Sequence, residues 1–334
     1  MNEGHKKDHW LRDMLAHGPR PSLLIVLILV AVVFARILLP SLSNAKLKAD
    51  HSTCTLYCAQ DQVFAEPIFQ EFKRQTGLQV SAVFDSEAVK TVGIANRLIA
   101  EKSHPQCDVF WSNEELRTRQ LAAQNVFRET NGWVAMGYRS RRIVINTTRL
   151  SVPNAPTSLM ELTNSAWRGK VALAYPLFGT TATHFLALRQ YWGVERWESW
   201  CRGLAANKPF LVDGNSVVVK LVARGDAWIG LTDSDDIANA RCEGARVEAL
   251  PLNGEMLLIP NTVAIIRSAQ HPIAAERLFQ YLQQSDVLHE LVAAKALEGI
   301  SPSAVNVPTL KPDWHLILRD LEMGTDQMKR IFLQ

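Results

Sequence analysis

The chain has 334 residues, of which 47% are hydrophobic and 21% are charged. This composition excludes a disordered protein and predicts a globular one, long enough for one large domain or two medium domains. The net charge is +3, and residues 1–36, with five Lys or Arg against three acidic side chains, account for +2 of it. Because the remainder is almost neutral, it lacks the basic surface that nucleic-acid binding requires.

The first predicted element is an apolar segment, residues 22–40. Its length lies between that of a signal-peptide core and that of a membrane span of about 20 residues. The twenty residues before it carry four Lys or Arg, which favours a cytoplasmic N-terminus. Since residues 41–50 contain only a weak cleavage site, at Ser43–Ala45, we favour an uncleaved anchor over a removed signal peptide. A buried core helix is the third alternative, and both membrane interpretations place the residues after 50 outside the cytoplasm.

From Thr53 the pattern alternates between strand and helix. The first predicted series is Cys54–Ala59 (strand), Val63–Thr76 (helix), Leu78–Phe84 (strand), Ser86–Glu101 (helix), Cys107–Trp111 (strand) and Glu114–Ala123 (helix). Continuous apolar strands that alternate with helices predict a parallel sheet covered on both faces.

A second series follows Tyr138, where a charged patch, Arg139–Arg142, leads into the strand Ile143–Asn146. We interpret this as a crossing from one lobe to another. The second series is Lys170–Ala174 (strand), Thr180–Trp192 and Trp197–Ala206 (helices), Phe210–Val212 (strand), Asn215–Arg224 (helix), Ala227–Leu231 (strand), Ile237–Cys242 (helix), Val247–Leu252 and Glu255–Ile259 (strands). Val263–Ile266 would return the chain to the first lobe. Closing helices would then pack on that lobe, at His271–Leu282, Asp286–Ala296 and Trp314–Leu321.

The five cysteines predict no zinc site, because no Cys/His spacing fits one. Cys54 and Cys58 lie in one predicted strand, about 13 Å apart by the strand rise, and are too distant to bridge. Cys201 and Cys242 could pair if their helices are adjacent. The odd count leaves at least one free thiol or an intermolecular bond.

The apolar strand Ala227–Leu231 ends abruptly in the polar run Thr-Asp-Ser-Asp-Asp, residues 232–236. Ligand sites in open α/β sheets lie at such strand ends. Asp and Ser after a strand are also common N-caps of the next helix. On this stretch alone the cap is the better interpretation.

Four stretches together resemble one family: residues 107–111, 139–141, 215–217 and 230–236. They are similar to the periplasmic substrate-binding proteins of ABC importers, extracellular solute-binding family 1, in the branch of the ferric-iron-binding proteins. The resemblance implies an α/β, two-lobed periplasmic-binding-protein fold of type II, with lobes joined by two crossing strands and closed on a ligand by a hinge motion. The implied division is an N-terminal region with the anchor or signal segment (1–50), a first lobe (51–138 plus 262–334) and a second lobe (139–261).

The iron site that the resemblance implies fails when it is carried across residue by residue. The family uses a His after the first strand, a Glu after the Asp-Val-Phe strand and two adjacent Tyr after the strand that corresponds to Ala227–Leu231. The matching positions here are Asp61, Asn113, Asp233 and Ser234. Loss of imidazole and phenolate ligands argues against naked ferric iron. The aspartates at 61, 233, 235 and 236 could still give oxygen ligands to some cation.

The anion subsite that the resemblance implies fits better. It lies at two helix starts, which correspond here to Gly179, Thr180 and Thr181 and to Asn215. Backbone N–H groups and the helix dipole favour an anion at such a position, although each residue alone is a plain N-cap. With this subsite nearby, Asp233 is predicted to line the cleft, and Asp233→Ala is expected to weaken binding and leave the fold intact.

Three further residues complete the candidate ligand set. Arg139 lies at the lobe crossing, and its guanidinium suits phosphate oxygens. Ser86 begins a predicted helix that faces the cleft in the family, although it also suits a cap. Glu114 follows Asn113 at the end of the third strand.

The sequence therefore predicts a membrane-tethered periplasmic protein of an ABC importer that binds a small anionic solute, such as a phosphonate, an organophosphate or a sugar phosphate. Ferric iron or another metal is the alternative cargo, and a sensor role is also open. The expected partner is a membrane permease, and no cofactor is expected. An enzyme is not expected, since no nucleophile or GxSxG elbow is in place.

Overall fold

The computed structural model of the chain describes residues 53–84, 90–305 and 307–333. The apolar segment 22–40 and the candidate ligand residue Ser86 lie outside these ranges, and so the membrane anchor stays a prediction. Within the described ranges, no helix is both long enough and apolar enough to span a membrane.

The described residues form an α/β fold around one nine-stranded sheet. The strands are β1 (Thr53–Cys58), β2 (Gln79–Phe84), β3 (Val109–Ser112), β4 (Trp133–Asn146), β5 (Val171–Ala174), β6 (Phe210–Val212), β7 (Ile229–Asp233), β8 (Val247–Leu250) and β9 (Leu258–Ile265). Their order is β2-β1-β3-β9-β4-β7-β5-β6, and β8 pairs with β4. The helices are α1 (Gln62–Thr76), α2 (Lys90–Ala100), α3 (Glu115–Ala123), α4 (Gly179–Trp192), α5 (Val194–Ala206), α6 (Asn215–Arg224), α7 (Ser234–Cys242), α8 (Pro272–Leu282), α9 (Ser285–Ala293), α10 (Trp314–Arg319) and α11 (Leu321–Phe332).

Strand β4 joins the two halves of the sheet. Its first part pairs with β9, and its last part, Arg141–Asn146, pairs with β7 and β8. In the first half, β1 runs parallel to β2 and β3, and in the second half β5 runs parallel to β6 and β7. Parallel neighbours end at the same edge, and each half therefore presents a row of strand carboxyl ends. The two-lobed fold expected from the resemblance is confirmed.

The return crossing is one strand, β9, and not the two short strands that the sequence predicted around Pro260. Proline cannot donate to a sheet ladder, which made a break there plausible. The break is avoided by a β-bulge, because Gly137 and Tyr138 of β4 lie opposite Pro260 alone. The backbone N–H of Tyr138 donates instead to the carbonyl of Gly299, at 2.8 Å.

The closing helices are the largest departure from the predicted packing. Helix α11 packs on α4 and α5 of the second half, and α10 lies between α3 of the first half and α4 of the second. The rings of Phe332 and Phe185 are 5.9 Å apart, and Gly324 lies against Leu186 so closely that a Cβ atom would clash with it. The sequence placed all of 262–334 on the first lobe, whereas α11 packs on the second half and α10 contacts both halves. The apolar stripe of each helix predicts that the helix packs on the protein, but not which surface it packs against.

The cysteine pairing suggested for Cys201 and Cys242 is also wrong. Cys201 is buried in α5, whereas Cys242 is exposed at the end of α7, and both are free thiols.

Candidate functional site

A polar cavity opens between the two halves, at the carboxyl ends of strands from both. Fifteen described residues line it: Asp61, Asn113, Arg139, Ala174, Tyr175, Phe178, Gly179, Thr180, Thr181, Asp213, Gly214, Asn215, Asp233, Asp235 and Asp236. Eight of the eleven residues predicted to bind ligand are in this set, namely Asp61, Asn113, Arg139, Gly179, Thr180, Thr181, Asn215 and Asp233. The fold therefore brings together residues that lie far apart in sequence, and their role in ligand binding stays a prediction.

Glu114 does not line the cavity. It is buried at the N-cap of α3, where its carboxylate accepts hydrogen bonds from the backbone N–H groups of Leu116, at 2.7 Å, and Arg117, at 3.0 Å. The hydroxyl of Thr183 in α4 donates to the same carboxylate at 3.2 Å. Burial raises its pKa, although Arg117 and these hydrogen bonds oppose the effect. Glu114 is thus a helix cap that also links the two halves, and its assignment as a ligand-binding residue is corrected.

Ser234 is absent from the cavity lining for a similar reason. Helix α7 begins at Ser234, three residues earlier than predicted. The Ser234 hydroxyl accepts a hydrogen bond from the backbone N–H of Ser140 at 3.1 Å. This contact ties the start of α7 to the crossing strand β4.

Asp233 occupies the N-cap position of α7, but its side chain makes no cap hydrogen bond. Its carboxylate instead accepts from the guanidinium of Arg141 at 2.7 Å, from the hydroxyl of Thr180 at 2.8 Å and from the amide of Asn215 at 3.2 Å. Burial raises the pKa of Asp233, but the guanidiniums of Arg141 and Arg139 outweigh this effect and hold it below its ordinary value. The carboxylate stays ionised, and the interpretation of Asp233 as a helix cap is wrong for its side chain.

The carboxylates of Asp233, Asp235 and Asp236 form a compact acidic cluster. Each has an oxygen within 4.8 Å of an oxygen of the others, which is close enough for one metal ion to contact all three. One oxygen of Asp235 accepts from Arg139 at 2.7 Å, whereas the other, Oδ1, is buried with no hydrogen-bond partner among the described residues. Burial is the main reason that the pKa of Asp235 rises to about 6, and Asp233 adds to the rise.

Two helix N-termini line the cavity beside Asp233. Helix α4 begins at Gly179 after Phe178, and α6 begins at Asn215 after Gly214. Neither N-cap residue has a side chain that could accept from the first-turn N–H groups, and neither helix has a side-chain cap. The positive ends of two helix dipoles therefore face the cavity.

The sequence reasoning missed Asp213 as a candidate. It directly follows β6, in the same position relative to its strand as Asn113 after β3, and this strand-end placement was the available signal. Tyr175 follows β5 in the same way and also lines the cavity. Arg141 does not line the cavity, but it donates hydrogen bonds to Asp233 and Asn215, which do.

Several known proteins resemble this chain in sequence or in structure. A sequence profile of the family described as bacterial extracellular solute-binding protein matches residues 55–292. The major ferric iron-binding protein of Neisseria meningitidis serogroup A is 25% identical over 284 residues, which cover 77% of this chain and 84% of that protein. The Fe(3+)-binding periplasmic protein of Serratia marcescens is 25% identical over 192 residues, covering 53% of this chain and 55% of that protein.

Solved structures with the same fold include iron-bound HitA from Pseudomonas aeruginosa, with a TM-score of 0.72 and 19% identity over 84% of this chain and 99% of that one. AfuA from Actinobacillus pleuropneumoniae with bound fructose-6-phosphate has a TM-score of 0.70 and 18% identity over 84% of this chain and 96% of that one. Identity this low supports the fold alone. Since the family profile spans both halves of the sheet and the cavity between them, the chain belongs to the bacterial extracellular solute-binding proteins.

Proposed function

We propose that this solute-binding protein serves an ABC importer and that its cargo is ferric iron, held through carboxylate oxygens in the cavity. The observation that carries the proposal is the charge of the described lining, in which five carboxylates stand against a single guanidinium. Three of the carboxylates form the compact cluster at residues 233, 235 and 236. The sequence alone favoured an anion over a cation, and we now place the cation first.

Electrostatics favour a cation over an anion as the cargo. Two like charges 4 Å apart repel by about 4 kcal/mol at an effective dielectric constant near 20. An anion beside the cluster would be repelled in this way by several carboxylates. The two arginines that could offset them already donate to Asp233 and Asp235. A hard cation reverses the sign of each term, and carboxylate oxygens are suitable ligands for it.

The relatives support the same cargo. The Neisseria and Serratia proteins are named for ferric iron, and HitA contains iron. The phenolate pair that the resemblance implies is absent here, and Asp233 and Ser234 stand in its place. We therefore expect weaker retention of iron than a phenolate site would give.

A small anionic solute is the second candidate, and the two uncapped helix N-termini favour it. The fructose-6-phosphate bound to AfuA is a precedent on the same fold. Such a ligand would need hydroxyl or amine groups on its other side to satisfy the aspartates.

Equilibrium dialysis of the purified full-length protein separates these cargoes. One arm uses ferric nitrilotriacetate with metal analysis of the protein, and the other uses fructose-6-phosphate and a short-chain phosphonate. About one iron per chain with no retained phosphate ester is the expected result. Retention of a phosphorylated solute without iron would overturn the ferric proposal.

We further propose that the protein binds its cargo without chemical turnover and delivers it to a membrane permease from the periplasmic side. A solute recovered unchanged after incubation with the protein is the expected outcome, and product formation would contradict it.

A further inference from the structure

The guanidinium of Arg139 spans the cavity from one half of the molecule to the other. Its Nη1 donates to Asp235 at 2.7 Å and lies 3.5 Å from Asp233, while its Nη2 donates to the backbone carbonyl of Asn113 at 2.6 Å. Asp233 ends β7 and Asp235 lies in the first turn of α7, both in the second half, whereas Asn113 follows β3 in the first half. One cation thus collects oxygen atoms from both sides of the cleft.

Arg139 differs from Arg141 in ways that matter for access. Arg141 is fully buried, donates to Thr180, Asn215, Asp233 and the carbonyl of Leu231, and does not line the cavity. Arg139 lines the cavity, and its Nε is buried without a hydrogen-bond partner among the described residues. Oδ1 of Asp235 is unpartnered in the same way. The Nε of Arg141 is likewise buried without a partner among the described residues. The two arginines differ in position: Arg141 makes four hydrogen bonds behind the cavity lining, whereas Arg139 makes two and lines the cavity itself.

We propose that Arg139 is an internal substitute for the cationic cargo: its guanidinium holds Asp233 and Asp235 when the cavity contains no metal, and it must move aside before a metal ion can bind them. This inference rests on the proposed function. It assigns Arg139 a role opposite to that of an anion-binding residue, because here the side chain competes with the cargo.

Because of this competition, a cation must carry more charge than the guanidinium in order to displace it. A side chain tethered beside its partners competes at a high effective concentration. A monovalent ion offers the carboxylates no more charge than the guanidinium does, whereas a trivalent ion offers three times as much in the Coulomb term. The tethered guanidinium therefore selects for highly charged cations.

The test compares Arg139→Gln with the wild-type protein in ferric nitrilotriacetate titrations followed by metal analysis. Glutamine keeps hydrogen-bond donors but removes the charge. The substitution should tighten iron binding about tenfold, equivalent to ~1.4 kcal/mol. Arg189→Gln is the matched control, because Arg189 is also buried and ion-paired, to Asp320, away from the cavity. An affinity of Arg139→Gln that is equal to or weaker than that of the wild-type protein would overturn the inference.

A second variant and a second measurement separate charge from folding. Arg139→Lys keeps the charge, and it should bind iron with nearly wild-type affinity; tightening equal to that of the Gln variant would contradict the proposal. Thermal unfolding should show a larger iron-induced rise in Tm for Arg139→Gln than for wild type, and a smaller rise would count against it. If neither the wild-type protein nor any variant binds iron, the proposed function itself fails. Wild-type binding that is weakened by Arg139→Gln refutes only the role of Arg139.

Discussion

The two walls of the cavity are built in different ways. The first wall, formed by Asp61 and Asn113, follows strands β1 and β3 and contributes single groups at loop positions. The second wall contains Asp233, Thr180 and Asn215, which are joined to one another and to the buried Arg141 by hydrogen bonds of 2.7–3.2 Å.

The side chains of the second wall are therefore held in a hydrogen-bond network before a ligand arrives. A buried polar network with satisfied partners is rigid, and the loss of one member leaves the others unpaired in a low-dielectric environment. The first wall has fewer such constraints. Substitutions in the second wall should therefore change stability, and substitutions in the first wall should change binding alone.

Asp233→Asn should have the largest effect, because it leaves the Arg141 guanidinium buried without its counter-charge. Breaking a buried ion pair in this way costs about 3–5 kcal/mol of unfolding free energy. The expectation that a substitution at Asp233 spares the fold is therefore revised. Urea unfolding measures the loss, and Asp226→Asn is the control, since its pair with Arg224 is exposed and worth about 0–1 kcal/mol. Equal effects of the two substitutions would contradict the contrast between buried and exposed pairs.

His184 gives the second wall a dependence on pH. It is fully buried in α4, where one ring nitrogen, Nε2, donates to the carbonyl of Glu255 at 2.7 Å. Burial, reinforced by Arg141, lowers its pKa to about 3, below the ordinary value of 6.5. Between these values the unfolded state binds a proton that the folded state does not, and stability should fall by up to ~1.4 kcal/mol for each pH unit of acidification.

His184→Gln should remove this contribution, because glutamine can donate to the same carbonyl without titrating. We expect a smaller loss of Tm between pH 6.5 and pH 4.5 than in the wild-type protein. His289→Gln, at an exposed position of α9, should leave the wild-type pH dependence in place. Identical profiles for wild type and His184→Gln would refute the prediction.

Asp61→Asn tests the first wall. Asp61 precedes α1, and its side chain makes no cap hydrogen bond to that helix. The substitution should weaken iron binding about tenfold, or ~1.4 kcal/mol, and change the unfolding free energy by less than about 0.5 kcal/mol. Ferric nitrilotriacetate titration and urea unfolding of the same sample measure both. A loss of stability without a loss of affinity would reverse the assignment of the two walls.

Thr183→Val tests a contact between the two halves of the sheet and should have the smallest effect. The Thr183 hydroxyl donates to Glu114 of the first half, and its loss removes one of the hydrogen bonds of a buried carboxylate. We expect about 1 kcal/mol of destabilisation. Thr325→Val is the control, because that hydroxyl donates only within its own helix, to the carbonyl of Leu321. Thermal unfolding should separate the two variants, and matching Tm values would contradict the linking role of Thr183.

The alternation of strands and helices, and the polar residues at the strand ends, can be predicted from the amino-acid sequence alone. An apolar run that stops in aspartate reports burial that ends at a surface, and this local signal drew attention to Asp233. Asn113 and Asn215 were identified by the family resemblance. The family resemblance then connected these strand ends with one cleft.

Only the tertiary structure decided what the side chains do there. Arg141 and Asp233 are 92 positions apart, and they meet because the antiparallel register of β4 and β7 places them directly opposite each other. Alternation along a strand specifies which face a residue occupies, but not its partner on the next strand. The packing of α11 on the second half depended in the same way on which apolar surface was free. Partner choice is a property of topology, and for this reason a predicted helix cap became the centre of a buried ionic network.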